Sequence, residues 1–376
     1  MNHSDKHLHV VSFDIPYPAN YGGVIDVFYK VKTLHDLGIK VHLHCFEYDR
    51  KLPALLSQYC YTLKAYPRKV SKHLLFSSTP YIVKSRESEQ LVTNLAKDKH
   101  PILFEGLHTC FHLNDFRLSH KARFVRTHNI EHDYYQALSQ VEKNIFKRFY
   151  FLNEANKLKS FEAQLKGAQG VIAITEKDQF HFEKFLDNVH HVTAFHKHFA
   201  TTGKEGKGEY ALYHGNLAVG ENNEAALYLV TKVFNDIPYK LVIMGNHPSK
   251  ELKAAVAGLK NVELIGSSDS DKIEQYIQNA HINVLPTFQS TGIKLKLLNA
   301  LFSGRFCLVN DTMVSGTNLA DLCVIANDPE SMKDKIQSLF EFTFTIDERN
   351  KRRDILNLSF DNRKNANHLI DIIFKK

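Results

Sequence analysis

The chain contains no run of ~18 consecutive apolar residues, so no transmembrane helix is expected. Its opening residues, Met1 to His9, are polar and lack the apolar centre of a secretion signal. Cysteine is scarce and scattered. Five occur, at 45, 60, 110, 307 and 323, and none is spaced C-x-x-C. That excludes a disulfide framework and reads as reduced thiols in a cytoplasmic protein. The glycine pattern G-x-G-x-x-G is missing, which weighs against a nicotinamide-dependent oxidoreductase. No nucleic-acid-binding motif accompanies the net charge of +7, so nucleic acid is not expected as a partner. An anionic membrane face or an anionic small substrate fits that charge better.

What is present is ordinary soluble composition, 43% apolar and 24% charged, over 376 residues. That length exceeds what one hydrophobic core usually serves, so two domains are expected. Short apolar runs alternate with amphipathic stretches throughout, the pattern of doubly wound α/β sheets. Val10 to Ile15 reads as a strand, Val24 to Leu37 as a helix closed by Gly38, and Val41 to Phe46 as the next strand. Gly22 and Gly23 stand where that helix starts and let backbone approach a ligand closely. Glu142 to Lys166 reads as a long helical stretch. Thr201 to Gly208, with three glycines, is the most flexible-looking segment, and the domain boundary is placed there. A second series of strands follows, at Tyr210 to His214, Lys240 to Met244, Val262 to Ile265, Ile282 to Leu285, Phe306 to Asn310 and Cys323 to Ile325.

The most informative stretch runs from Pro286 to Arg305. A buried strand ends at Pro286, a polar loop leads to Gly292, and an amphipathic helix begins. Leu297, Leu298 and Leu301 share one face of it, and Lys296, Asn299 and Ser303 share another. A strand, a glycine loop and a helix start make an anion site, and Lys294 and Lys296 add charge suited to a diphosphate. From the residues alone, a solvated lysine face on a crossover helix fits as well. Asp269-Ser270-Asp271 matches a metal-binding D-x-D only superficially, because Asp271 and Glu274 suit a capping box. Scattered histidines, among them His42, His44, His190, His191, His196 and His198, lack ligand spacing, and no metal site is assigned.

The run from Thr291 to Arg305 resembles the donor-binding motif G-x-K-x-K-x-L-E-A-L-x-x-G of the retaining "group 1" glycosyltransferases of GT-B fold (glycosyltransferase family four). Gly292, Lys294 and Lys296 match, and Asn299 stands where that family has glutamate. His128-Asn129-Ile130-Glu131-His132-Asp133-Tyr134-Tyr135 resembles the family's H-N-x-E-H-x-Y-Y segment, and Tyr213-His214-Gly215-Asn216 its first donor-domain loop. The resemblance implies two Rossmann-like doubly wound domains facing a central cleft. Residues 1–200 with a returning terminal helix, 362–376, form the acceptor side, and residues 201–361 bind the donor. It implies a metal-independent, retaining hexosyltransferase that needs no cofactor. The donor is a nucleotide-diphosphate sugar and the acceptor a carbohydrate or lipid-linked glycan in surface polysaccharide synthesis, with peripheral contact at the inner membrane face. His128 would orient the transferred sugar and Lys296 stabilise the leaving diphosphate. Gly22, Gly23, Gly215, Asn216, Gly245, Asn246, Thr291, Gly292, Lys294 and Asn299 would line the donor. Glu131 is either a second cleft group or the partner of Arg126. Asn299 and the lysine-free Gly215 loop also fit a non-catalytic nucleotide-sugar-binding subunit of a polysaccharide assembly.

Overall fold

The computed structural model describes residues 3–142, 144–267, 269–288 and 295–375, and these fall into two compact units. One unit holds the described residues up to Lys197 and from Phe360 onward, and the other holds those from His198 to Ser359.

The first unit is built on a seven-stranded parallel sheet. Its strands are β1 (His7–Ser12), β2 (Lys40–Glu47), β3 (Thr62–Pro67), β4 (Ile102–Glu105), β5 (Arg123–Thr127), β6 (Gly170–Ala173) and β7 (Val189–His191), in the order β3-β2-β1-β4-β5-β6-β7. The second unit has a six-stranded parallel sheet of β8 (Ala211–His214), β9 (Leu241–Met244), β10 (Val262–Ile265), β11 (Ile282–Val284), β12 (Phe306–Val309) and β13 (Val324–Ile325), in the order β10-β9-β8-β11-β12-β13. Parallel strands covered on both faces need unbroken apolar runs. β8, β9 and β12 accordingly are buried at every position. In each sheet the winding reverses once, between β1 and β4 and between β8 and β11. Loops leaving the carboxyl ends there diverge, and the gap between them is where such sheets hold ligands.

The first helix, Gly22–Asp36, leaves β1 across that gap. Its N-cap, Tyr21, makes no side-chain cap, and its first turn holds no acidic residue. The first amides and the positive dipole end therefore remain available to an anion. The helix ends at Gly38, whose φ of 90° suits glycine. The terminal helix, Asn362–Phe374, lays Ala366, Leu369, Ile370 and Ile373 into the core shared with Val24, Val27 and Val31.

The long helical stretch expected over Glu142 to Lys166 forms from Ile145 onward, and two other local expectations are corrected. One helix, Glu131–Val141, ends first, and Asn144 then caps a new one, Ile145–Phe161, by accepting from the amides of Phe146 and Lys147. A short 3-10 turn over Glu162–Gly167 completes it. In Asp269-Ser270-Asp271 the cap is Asp269, which accepts from the Asp271 and Lys272 amides and starts the helix Ser270–Asn279. The segment Thr201 to Gly208 is fastened rather than loose. The Thr202 amide donates to the Phe302 carbonyl at 2.7 Å, and Gly206 and Phe344 exchange backbone hydrogen bonds of 2.9 and 3.3 Å. A Cβ at Gly203 would lie 2.6 Å from the Gly304 oxygen, and one at Gly208 2.5 Å from the Asn279 oxygen. These glycines serve close backbone packing, which composition alone does not distinguish from flexibility.

Candidate active site

In the first unit a buried charged cluster lies behind the β1/β4 switch point. Asp26, on the first helix, accepts from Arg126 Nε at 2.9 Å and Nη2 at 2.8 Å, from Lys30 Nζ at 2.8 Å, and from the Phe195 amide at 2.8 Å. Lys30 also reaches Glu105 at 2.8 Å, and Glu105 meets His128 Nε2 at 3.0 Å. Lys30, Glu105 and Arg126 are fully buried, and His128 is 8% exposed. Burial opposes the charge on Asp26 and Glu105, but Arg126 and Lys30 on the first, and Lys30 and His128 on the second, hold both carboxyls below their usual range. Two cations thus balance two anions, and His128 is held by a carboxylate that fixes its ring. Arg126 is the partner of Asp26, so the alternative pairing of Arg126 with Glu131 is overturned.

Toward the carboxyl ends of the strands, Phe13 joins the expected residues. Its ring lies 5.5 Å from that of His128 and 5.3 Å from that of His108, between centroids. A Cβ at Gly23 would sit 2.5 Å from its tip, so glycine there lets the helix start close over Phe13. Gly22 opens the same helix. The structure therefore brings Gly22, Gly23 and His128 to one edge. It adds His108 and Glu131, whose Nδ1 and Oε1 are 3.8 Å apart. Burial, reinforced by Asp178 and Glu162, pushes the Glu131 carboxyl up to about 8. Glu131 is thus a protonated carboxylic acid at neutral pH, able to donate a hydrogen bond. His108 lies far from His128 in sequence, and no local spacing marks it.

In the second unit the site forms at the β8/β11 switch point. Lys296, on the helix Leu295–Ser303, sends its Nζ to Asn222 Oδ1 at 2.5 Å and lies 5.3 Å from the centre of the Tyr213 ring. Asn222 in turn donates to the Asn216 carbonyl at 3.0 Å. The ammonium is thereby drawn to the loop that follows β8. Leu297, Leu298 and Leu301 are buried beneath it, as the apolar face predicts. Asn299 points elsewhere: its Oδ1 is 2.8 Å from His198 Nε2. Asn216 uses its own side chain to cap the turn at Ala218. Gly245 is buried because a Cβ there would lie 2.0 Å from the Gly215 oxygen, so this glycine locks two loops together. Asn246 follows it, half-buried. Asn310 clamps the segment after β11 by exchanging hydrogen bonds of 3.1 and 2.7 Å with the Thr287 backbone, and Thr287 Oγ1 donates to Glu221. From sequence Tyr213 and Asn222 belong to the family-like loop but receive no role of their own, and Asn310 reads only as the end of a strand. Their amide and phenol groups carry no spacing signal. Thr291, Gly292 and Lys294 lie outside the described residues.

Each unit thus carries its functional groups at the carboxyl edge of a parallel sheet, at the point where the winding reverses. Known structures share this plan over the full chain. TarM superposes with a TM-score of 0.71 at 12% identity, covering 100% of both chains. The lipopolysaccharide outer core galactosyltransferase WaaB superposes with a TM-score of 0.62 at 16% identity, covering 98% of this chain and 99% of that one. The protein has the GT-B fold. Residues 208–341 match the sequence model of the family described as Glycosyl transferases group 1. An uncharacterized 44.6 kDa protein in the cps region of Klebsiella pneumoniae is 28% identical over 340 residues, 85% of this chain and 87% of that one. Over residues 208–341 the chain is thus similar to the group 1 glycosyltransferases, and its fold is that of the GT-B structures.

Proposed function

We propose that the chain is a retaining, metal-independent hexosyltransferase that moves a sugar from a nucleotide diphosphate to a carbohydrate or lipid-linked acceptor of a surface polysaccharide. The observation that carries this reading is the placement of Lys296. Its ammonium reaches the Gly215–Asn222 loop at the switch point of the second sheet, where a diphosphate leaving group would develop charge. Lys294 is proposed beside it from the motif. Metal independence is supported by the donor set. Among the described residues named at this switch point the carboxylate is Glu221, which Thr287 engages, and Asp269 caps a helix. The front-face course of a retaining transfer suits such a site: the glycosidic oxygen leaves with the phosphate as the acceptor hydroxyl attacks from the same face. The departing phosphate then takes the acceptor proton. His128, braced by Glu105, orients the sugar.

The nucleotide is proposed by likeness, since a mutant of TarM from S. aureus was solved with UDP and alpha-GlcNAc-glycerol. The polysaccharide context rests on the cps-region relative. No helix among the described residues is long and apolar enough to cross a membrane. A cytoplasmic protein resting on the inner membrane face is supported by the helix Ile145–Phe161. Ile145, Phe146 and Phe149 are 74%, 83% and 73% exposed there, beside exposed Lys147 and Arg148. Bulky apolar groups flanked by cations suit the interface of an anionic bilayer.

A second reading, a nucleotide-sugar-binding subunit without turnover, is favoured by Asn299, whose carbonyl oxygen is already engaged by His198. One experiment separates the two. The purified chain is screened for thermal shifts against UDP, GDP and their sugars, and the donor that binds is followed for nucleoside diphosphate release with and without EDTA. Transfer or slow hydrolysis that survives EDTA supports the enzyme. Tight binding without any turnover supports the subunit, and binding to none of these ligands sinks both.

A further inference from the structure

The opposite edge of the first sheet holds a cluster that the transfer reaction does not use. β1 and β2 each carry two histidines on alternate positions, His7 and His9 on one and His42 and His44 on the other, so all four side chains face the same side. His9 and His42 are direct partners in the strand register. His100 arrives from the turn before β4, which pairs with β1 on its other side. Three adjacent strands thus deliver imidazoles to one place, at the amino ends of the sheet.

The rings fall into two layers. His9 and His44 are fully engaged: His9 Nδ1 lies 2.9 Å from His44 Nε2, His9 Nε2 lies 3.0 Å from Asp98, and His44 Nδ1 lies 2.8 Å from the Tyr66 hydroxyl. His7, His42 and His100 form the outer layer. His7 Nδ1 and His42 Nε2 point at each other across 2.8 Å. His100 stacks on His7 with centroids 4.4 Å apart. One ring nitrogen from each of the three lies within 4.8 Å of the other two.

We propose that His7, His42 and His100 bind one borderline transition-metal dication, zinc by preference, on the edge of the first sheet remote from the transfer site. Three imidazoles without a carboxylate ligand favour zinc, nickel or cobalt over magnesium or calcium. Two nitrogens bound to one tetrahedral zinc stand ~3.3 Å apart, given Zn–N bonds of about 2.0–2.1 Å. The pair His7 and His42 therefore needs to open by only about half an ångström from its 2.8 Å separation. Thr62 Oγ1 sits 2.9 Å from His42 Nδ1 and can accept its proton, which leaves the Nε2 lone pair aimed at the ion. Burial, then the neighbouring His100 for His7 and His7 for His42, lowers the proton affinity of both rings, so they present lone pairs at neutral pH. Lys40 and Lys121 oppose a cation here, and Asp98 offsets them. His42 is buried while His7 and His100 are half-buried, which gives the ion a path in.

Two other groups lie as close: Asp26, Glu105 and His128, whose carboxylates Lys30 and Arg126 already occupy, and His132, Glu162 and His181. In the second, one carboxylate spans both rings, at 2.6 and 3.0 Å, and the set is closed by its own hydrogen bonds. The ion at His7, His42 and His100 instead ties the turn before β4 to β1 and β2 and acts as a structural clip.

The test titrates the full chain, freed of metal by chelator, with Zn2+ in a calorimeter and with Co2+ in a visible spectrophotometer. The expected result is one saturable equivalent, cobalt bands of a tetrahedral site, and a zinc-dependent rise in melting temperature. His100→Ala removes a half-buried ring and should weaken zinc by at least the ~10–100-fold that loss of an outer partner alone costs. Thr62→Ala should weaken it without abolishing it, and His181→Ala should leave it unchanged. Zinc affinity unchanged by His100→Ala, or lost with His181→Ala, overturns the assignment, as does the lack of any saturable equivalent.

Discussion

Arg126 and Asp26 meet through two parallel hydrogen bonds of 2.9 and 2.8 Å, although 100 residues separate them. The pair joins β5 to the first helix at the switch point. Arg126 also donates to the Val192 and Thr193 carbonyls at 3.0 and 2.9 Å, so one guanidinium holds three chain segments together. Such a fork fits a carboxylate in one geometry, and lysine could not replace it. Because Lys30 and Glu105 share the cluster, the ring of His128 inherits its position from this pair.

Asp26→Asn removes one anion and leaves Arg126 and Lys30 buried with too little compensating charge. Breaking a buried pair in this way costs about 3–5 kcal/mol, which for a domain of this size lowers the melting temperature by roughly 6–20 °C. Asp354→Asn, which loosens the surface contact with Arg353, should cost well under ~1 kcal/mol. Denaturant melts of the two variants check the contrast. Equal losses would show that the buried cluster carries no special weight.

Glu131 makes a pH prediction with a definite sign. In the folded chain it keeps its proton up to about 8, whereas in the unfolded chain it ionises at an ordinary carboxyl value. Between those limits the folded state binds more protons, so this group lowers stability as pH rises. Glu131→Gln mimics the protonated acid and has no such slope. The variant should match wild type near pH 5 and exceed it at pH 8.5 by on the order of 3 kcal/mol. Melting curves across that range read the difference directly, and parallel pH profiles would refute the buried neutral acid.

The strands and most helices are legible in the sequence because parallel sheets demand apolar runs, and glycine or a polar cap marks where each run ends. β10 occupies the residues expected for it, Val262–Ile265. His128, Gly23 and Lys296 were singled out through motif likeness, and each stands at the carboxyl edge of its own sheet. What was hidden are the pairings across distance. Nothing in the local pattern couples Asp26 to Arg126, His108 to Glu131, or His7 to His100, since each depends on which strands become neighbours. Glycine was the most ambiguous residue. At Gly203 and Gly208 it permits backbone contact, yet a glycine cluster in sequence looks like a hinge.

Two glycines of the second unit should behave differently for this reason. A Cβ at Gly245 meets the Gly215 carbonyl oxygen at 2.0 Å, a backbone atom that cannot swing away. Gly245→Ala must therefore push apart the loops after β8 and β9, at a cost of ~1–3 kcal/mol or more. The three atoms nearest to a Cβ at Gly215 all belong to the Asn222 side chain, at 3.1 to 3.3 Å. Gly215→Ala should keep most of the stability but displace Asn222 from Lys296, and so weaken nucleotide binding. Paired melting and nucleotide-titration measurements distinguish the two. If Gly245→Ala melts as wild type does, the loops are not locked together.

Lys296 provides the decisive chemical variant. It is half-buried, its helix is anchored by Leu297, Leu298 and Leu301 instead, and its ammonium is engaged by Asn222. Truncation should therefore spare the fold and remove charge where the leaving diphosphate forms. Loss of one preorganised group of this kind lowers turnover by about 100–1,000-fold. Lys296→Ala is expected to show that loss in kcat, with a melting temperature within a few degrees of wild type. Lys296→Arg keeps the charge but replaces a compact ammonium with a larger planar fork, and should fall between the two. Asn222→Ala removes one partner of the ammonium without deleting the charge, so its main effect should be on KM, because the cation is then less well ordered before the donor arrives. Were Lys296→Ala to raise KM while leaving kcat intact, the lysine would be binding ground state and transition state equally, and stabilisation of the departing phosphate would have to come from other groups.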